Sequence, residues 1–101
     1  MSINALKEFR IGNLTAKLPI IQGGMGVGIS LSGLASAVAN EGGIGVIAAA
    51  GLGMLDYDFS TKFLEANISR LRSEIRKARE KTKGIIGVNI MVALTNYAEF
   101  V

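Results

Sequence analysis

The feature that most constrains this chain is a short apolar run, residues 19–21, that leads directly into a glycine-rich loop, residues 22–28. Four of the six residues from 23 to 28 are glycines. Glycine lets a backbone adopt positive φ or come within contact distance of another group. Because α/β proteins commonly bind ligands where a strand ends and a helix begins, the loop predicts a backbone-lined pocket. The alternative is a strand-to-helix turn that needs glycine for its geometry alone.

A short β-hairpin is predicted over residues 7–17, ahead of a first main strand at residues 17–21. The two arms alternate apolar and polar residues around Gly12 and Asn13. A two-residue turn with glycine first suits that pair. The hairpin is too short to be a domain, so we expect it to pack against one end of a larger unit.

Helix and strand patterns alternate along the rest of the chain. Ser30 is predicted to cap a first helix that ends at the glycines 42–43. Residues 44–49 are apolar throughout, which is typical of a strand buried on both faces of a parallel sheet. A second helix is predicted from about residue 60 to 82, and a third strand over residues 85–92. The order β-α-β-α-β predicts an α/β protein.

The chain is expected to be part of a longer protein. Residues 96–99 have the capping-box spacing that begins a helix, and only two residues follow them. A three-stranded sheet would also leave an exposed edge.

Asn89 is the polar exception in the third strand. A buried amide that is not hydrogen-bonded costs about 1–3 kcal/mol, so Asn89 must bond either to neighbouring backbone or to a ligand. We favour a ligand, because the other two strands end in glycine loops on the same side of the sheet.

The composition excludes several kinds of site. The chain has 101 residues, a net charge of +3, no cysteine and no histidine. It therefore lacks the commonest neutral-pH base, the commonest metal ligand and any disulfide, and we expect no metal site. The N-terminus lacks a signal peptide's apolar region, and proline and glycines interrupt the uncharged residues 18–40. We expect a cytoplasmic protein that does not bind a membrane.

A basic cluster lies in the second predicted helix. Residues 70–83 contain seven basic residues and two acidic ones, and Arg70–Glu74 and Arg76–Glu80 have the i,i+4 spacing of ion pairs. An apolar stripe at 64, 68, 71, 75 and 78 occupies the other side of the helix. The cluster is therefore interpreted as a solvated face, and no nucleic-acid partner is expected because no aromatic residues are interleaved to stack on bases.

Nucleotide-binding motifs are missing. The pattern G-x-G-x-x-G fails in the loop, the second strand lacks a closing acidic residue, and no G-x-x-x-x-G-K-[ST] occurs. Glycine loops after successive strands, all on one side, favour a (β/α)8 barrel over a doubly wound sheet.

Three blocks carry a resemblance to a known family: PIIQGGMG at 19–26, LA to EGGIGVI between 34 and 47, and GVNIM at 87–91. In this order the blocks resemble the FMN-dependent nitronate monooxygenases, formerly 2-nitropropane dioxygenases, and the related flavin enoyl-ACP reductases. The resemblance covers residues 9–101. It implies that residues 1–101 are a single partial domain, the N-terminal third of a TIM barrel about three times this length.

The resemblance also implies a cofactor and its site. The cofactor is FMN, with the loop backbone against the flavin ring and Asn89 bonded to its polar edge. Ala49, at the end of the second strand, would lie on the same side of the flavin pocket as the loop and Asn89. The implied cofactor-binding residues are Gln22, Gly23, Gly24, Met25, Gly26, Ala49 and Asn89. No catalytic residue is expected in this chain, since the family's catalytic histidine and phosphate-binding loops would follow Val101.

Three activities follow as alternatives. In the first, flavin accepts electrons from a carbanion-like alkyl nitronate and, once reduced, reacts with O2. In the second, an enoyl-ACP reductase reduces an enoyl thioester on the same flavin face; the absence of a bulky aromatic in residues 26–30 favours the first. In the third, the chain is a non-catalytic fragment that forms homo-oligomers through an open sheet edge.

Overall fold

The computed structural model describes residues 6–50 and 63–91 and the terminal Val101, with the side chains of residues 63 and 64 left out. Its elements are β1 (Phe9–Ile11), β2 (Leu14–Ala16), α1 (Ser32–Asn40), β3 (Ile44–Ala48), α2 (Phe63–Lys81) and β4 (Ile85–Asn89). The predicted loop after residue 50 and the predicted helix start at residues 96–99 lie outside the described residues.

The predicted hairpin is confirmed. β1 and β2 pair antiparallel, with Phe9 opposite Ala16 and Ile11 opposite Leu14. Gly12 has a φ of +56°, which is the left-handed conformation that the first residue of the turn requires.

A parallel sheet forms the centre of the described structure. β3 and β4 pair in parallel from Ile44 opposite Ile85 to Ala48 opposite Asn89. The segment 18–22 runs parallel along the other side of β3, where Ile21 bridges Ile44. The order β-α-β-α-β is therefore confirmed, but two boundaries were wrong. The first strand pairs over fewer residues than 17–21, and the third ends at Asn89 rather than at residue 92.

The core lies between this sheet and the two helices. Every residue of β3 is buried, as predicted for a strand covered on both faces. One cluster of core side chains contains Ala35 of α1, Ile47 and Ala49 on the β3 side, and Leu71 and Ala78 of α2. A second cluster joins Ala16 of β2 to Ile44 and Val46 of β3. The small residues of α1 let its backbone lie directly on the sheet, with the Ala35 carbonyl against Gly45. The apolar side of α2 therefore faces inward and its basic face is exposed, as predicted.

The prediction that Ser30 caps α1 is wrong. The N-cap residue is Leu31, and no side chain at that position caps the helix. The carboxylate of Glu74, from α2, accepts a hydrogen bond from the Ser32 amide at 2.9 Å. A carboxylate at a helix N-terminus satisfies a free amide and interacts favourably with the helix dipole. Helix α2 thus supplies the cap that the local sequence does not.

Glu74 is almost completely buried, at 2% exposed. The predicted pair with Arg70 is confirmed, at 3.4 Å between Nε and Oε2, and Lys77 Nζ lies 3.3 Å from the same oxygen. No ion pair joins Arg76 and Glu80, both of which lie in the described part of α2. Burial raises the pKa of Glu74, but the hydrogen bonds from Ser32 and Lys77 and the charge of Lys77 together hold the pKa below its ordinary value.

Acid is expected to weaken the fold through Glu74. Its pKa is lower in the folded chain than in the unfolded chain, so its stabilisation is complete above the ordinary carboxyl value of 4.5. The stabilisation is then lost as the pH falls through the lower folded-state pKa. Urea unfolding at a series of pH values below 6 measures this dependence. Glu74→Gln, which cannot titrate, should lose less free energy of unfolding over this pH range than wild type. Equal losses in the two proteins would contradict the assignment of this pH dependence to Glu74.

Within residues 6–50 and 63–91, neither helix combines the length and the apolar character that crossing a membrane requires.

Candidate functional site

The glycine loop begins where the chain leaves the sheet at Gln22. The Ile44 amide donates to the Ile20 carbonyl, and the Gln22 amide donates to the Ile44 carbonyl, at 2.9 and 3.0 Å. In a regular parallel ladder the Val46 amide would donate next to the Gln22 carbonyl. It donates instead to the side-chain oxygen of Gln22, at 3.1 Å. The side chain thus takes the place of the departing backbone and satisfies a buried amide.

The loop returns to the same strand at Ser30. The Ser30 carbonyl accepts the amide of Ala48 at 2.9 Å, two residues further along β3 than Val46. Residues 23–29 therefore form a loop, and the two residues that flank it, Gln22 and Ser30, are both hydrogen-bonded to β3. A compact loop with adjoining ends is typical of functional surface loops.

Ser30 ties the two ends of the loop together. It is 1% exposed. Its Oγ accepts one hydrogen bond from Gln22 Nε2 at 3.2 Å and another from the Met25 amide at 2.9 Å. The Ser30 amide in turn donates to the Met25 carbonyl at 2.9 Å. The sequence identified Ser30 only as a helix cap, so its role in closing the loop was missed.

The loop lies against the ends of β3 and β4. A Cβ placed on Gly24 would be 2.6 Å from Cβ of Asn89, and one on Gly26 would be 3.3 Å from the carbonyl oxygen of Ala50. Close approach therefore favours glycine strongly at position 24, whereas a side chain at position 26 would need Ala50 to shift by a few tenths of an ångström. Residues that the sequence placed at three separate strand ends meet in one place.

Asn89 is exposed, so the prediction that its amide is buried was wrong. It is the last residue of β4, and the last two residues of this strand are exposed. Its backbone carbonyl accepts the Ala49 amide at 3.0 Å. Its side-chain amide has no hydrogen-bond partner in residues 6–50 and 63–91. The expected position at the strand's C-terminal end is confirmed, and the amide is free to bind a ligand.

The other implied cofactor residues differ in what they offer. Gln22 uses both ends of its side-chain amide and its backbone amide within the protein, which leaves its backbone carbonyl for contacts. The Met25 amide is bonded to Ser30, whereas the residue as a whole is 56% exposed. Ala49 is fully buried in the core, and the half-buried Ala50 is the residue that Gly26 approaches. A ligand contact at Ala49 stays a prediction.

A cavity of about 320 Å³ lies at the opposite end of the sheet, where the strands begin. It is bordered by β2, the end of α1 and the start of β4, and its charged side chains are Lys17, Glu41 and Lys83. These three side chains are exposed and of mixed sign, which is typical of a solvated surface. The loop at the carboxyl ends of the strands is the better candidate, because parallel sheets bind ligands there.

Comparison with curated proteins found no match to this chain. Comparison with protein-family models found a match to the family described as nitronate monooxygenase, over residues 7–100. The matched range includes the glycine loop, both sheet strands and Asn89. The chain therefore belongs to the nitronate monooxygenase family.

Proposed function

We propose that this chain forms one wall of the flavin site of an FMN-dependent oxidoreductase that oxidises alkyl nitronates with O2. The family supports an oxidoreductase of the nitronate monooxygenase type. The observation that supports FMN as the cofactor is the contact between the backbone of Gly24 and Asn89, whose side-chain amide has no hydrogen-bond partner in residues 6–50 and 63–91. The whole protein is proposed to be a TIM barrel, in which the carboxyl ends of the strands form the active face.

The residues present fit a flavin ring. A flat ring requires backbone without projecting side chains. No atom of the described residues lies within 4 Å of a Cβ placed on Gly23, so this face of the loop is open. The amides of Gly23 and Gly24 donate to no protein group in residues 6–50 and 63–91. With the Asn89 amide, which both donates and accepts, they match the mixed donors and acceptors at a flavin's polar edge.

FMN, when bound, supplies the electron transfer and the oxygen chemistry, and the protein positions it. The part that this chain plays is binding and orientation. Gly23 and Gly24 provide the flat surface and two amide donors, and Asn89 fixes the ring's edge at the end of β4. None of the residues of this chain is a histidine, and we propose no proton transfer by it.

Asn89→Ala is expected to weaken FMN binding about tenfold, the equivalent of one hydrogen bond of about 1.4 kcal/mol. The measurement is the quenching of FMN fluorescence on titration with the purified chain. Asn40→Ala is the matched control, because Asn40 is also exposed but lies at the end of α1, where its side chain bonds to the Lys81 carbonyl. Equal affinities for the two variants would remove Asn89 from the site.

Wild-type binding must be measured first. If the purified chain is colourless and does not quench added FMN, the flavin proposal fails for this chain. Turnover of an alkyl nitronate with O2 by the intact protein, compared with reduction of an enoyl thioester by a reduced nicotinamide, decides between the two flavin activities.

Self-association through the sheet edge is a second candidate, favoured by the exposure of Ile20 and Ile21. Ile21 is 56% exposed, and the described structure has no strand beyond segment 18–22 on that side of β3. Sedimentation velocity over a range of concentrations tests for such oligomers.

A further inference from the structure

We propose that Gln22 and Ser30 form a clasp that fixes the glycine loop in the conformation that receives the flavin. Both are positioning residues: their side chains contact the protein rather than the ligand. The proposal rests on the flavin function above, and it assigns Gln22 a different role from the one that the family resemblance implies.

The first part of the clasp is the side chain of Gln22. Its Oε1 accepts the Val46 amide at 3.1 Å, and its Nε2 donates to Ser30 Oγ at 3.2 Å. The amide group is thus held at both ends, on one side by β3 and on the other by the end of the loop. Glutamine suits this position because its side chain carries an acceptor and a donor on one carbon.

The second part is the buried hydroxyl of Ser30. Besides Gln22 it accepts the amide of Met25, at 2.9 Å. This bond turns the Met25 amide inward, toward the protein. The amides of Gly23 and Gly24, just before it, are left without protein partners in the described residues. The clasp therefore determines which loop amides are available to a ligand.

Preorganisation is the expected benefit. A glycine-rich loop has many accessible backbone conformations, and ordering it on binding costs free energy. Hydrogen bonds that order the loop before binding remove part of this cost. Losing the clasp should therefore weaken flavin binding even though neither side chain contacts the ring.

The test is Ser30→Ala, which removes the acceptor shared by Gln22 and Met25. The matched control is Ser36→Ala, because Ser36 is also a buried serine but its hydroxyl donates to the Gly33 carbonyl within α1. Amide hydrogen exchange, followed residue by residue by NMR in the absence of flavin, measures how well the clasp protects the Met25 amide. FMN titration of the same samples measures the effect of the clasp on FMN affinity.

In Ser30→Ala we expect the Met25 amide to exchange at least about tenfold faster, the effect of losing one hydrogen bond. The Gln22 amide, which is bonded to Ile44, should keep its protection. FMN affinity should fall by a similar factor, and Ser36→Ala should match wild type in both measurements. Should Ser30→Ala fail to fold, Ser30→Cys replaces it, since a thiol is a weaker acceptor of nearly the same shape.

Unchanged exchange at Met25 would overturn the clasp, whatever the flavin result. Faster exchange with unchanged FMN affinity would overturn its positioning role. If wild type binds no FMN while exchange at Met25 responds to Ser30→Ala, the proposed flavin function fails and the positioning role fails with it. Faster exchange together with weaker FMN binding, in Ser30→Ala alone, supports the proposal.

Discussion

Replacing Gly45 with alanine is expected to lower the free energy of unfolding by about 3 kcal/mol or more, or to prevent folding. Gly45 is the second residue of β3 and lies directly under α1. A methyl group there would overlap the carbonyl oxygen of Ala35 and lie 2.6 Å from its carbonyl carbon. These atoms belong to the helix backbone, which cannot rotate aside as a side chain could. Relief would require α1 to move off the sheet.

Gly87→Ala is the matched control for Gly45→Ala. Gly87 is a strand glycine in β4, paired with Val46, but the nearest atom to a Cβ placed there is 3.7 Å away, an ordinary contact. Its unfolding free energy should stay within about 1 kcal/mol of wild type. Urea unfolding followed by circular dichroism measures both variants. Similar losses for the two would show that the close packing of α1 on β3 is not what Gly45 provides.

Glu74→Ala is expected to lower the free energy of unfolding by about 3 kcal/mol. The substitution removes the acceptor of the Ser32 amide at the start of α1 and the carboxylate that faces Arg70 and Lys77. It also removes a contact between the two helices. The loss is large because the Ser32 amide stays buried without an acceptor, and Arg70, with 27% of its side chain exposed, loses its charge partner.

Two further variants separate these contributions. Glu80→Ala removes an exposed carboxylate from the same helix and should change stability by less than about 0.5 kcal/mol. Glu74→Gln keeps an acceptor for Ser32 and removes the charge, so its loss should lie between the other two. Urea unfolding at pH 7 measures all three. A Glu74→Ala variant as stable as Glu80→Ala would show that α1 does not depend on a cap from α2.

The α1 start and the glycine loop are adjacent in the structure. Ser30 closes the loop, Leu31 is the N-cap residue, and Ser32 receives the Glu74 carboxylate. The loop is therefore anchored to β3 by Ser30 and followed immediately by a helix that α2 holds in place. This arrangement explains how a glycine-rich segment is held against Asn89.

The sequence alone determined the features that depend on local patterns. The hairpin turn at Gly12 and the buried parallel strand from Ile44 follow from residue type and periodicity, and both are confirmed. The inward stripe of α2 and the Arg70–Glu74 pair follow from helical spacing. The meeting of the glycine loop with Asn89 was also predictable, because the carboxyl ends of parallel strands lie at one edge of a sheet.

The tertiary structure alone decided how the loop is held and what each polar side chain does. Gln22 bonds to an amide 24 residues away, and Glu74 bonds to one 42 residues away. Such bonds depend on which backbone amides the packing leaves unsatisfied, and no local pattern records that. For the same reason Ser30, a good helix cap by residue type, serves the loop instead, and Asn89 is exposed. Propensity and spacing determine the elements, whereas unsatisfied hydrogen-bonding groups in the assembled fold determine the partners of its polar side chains.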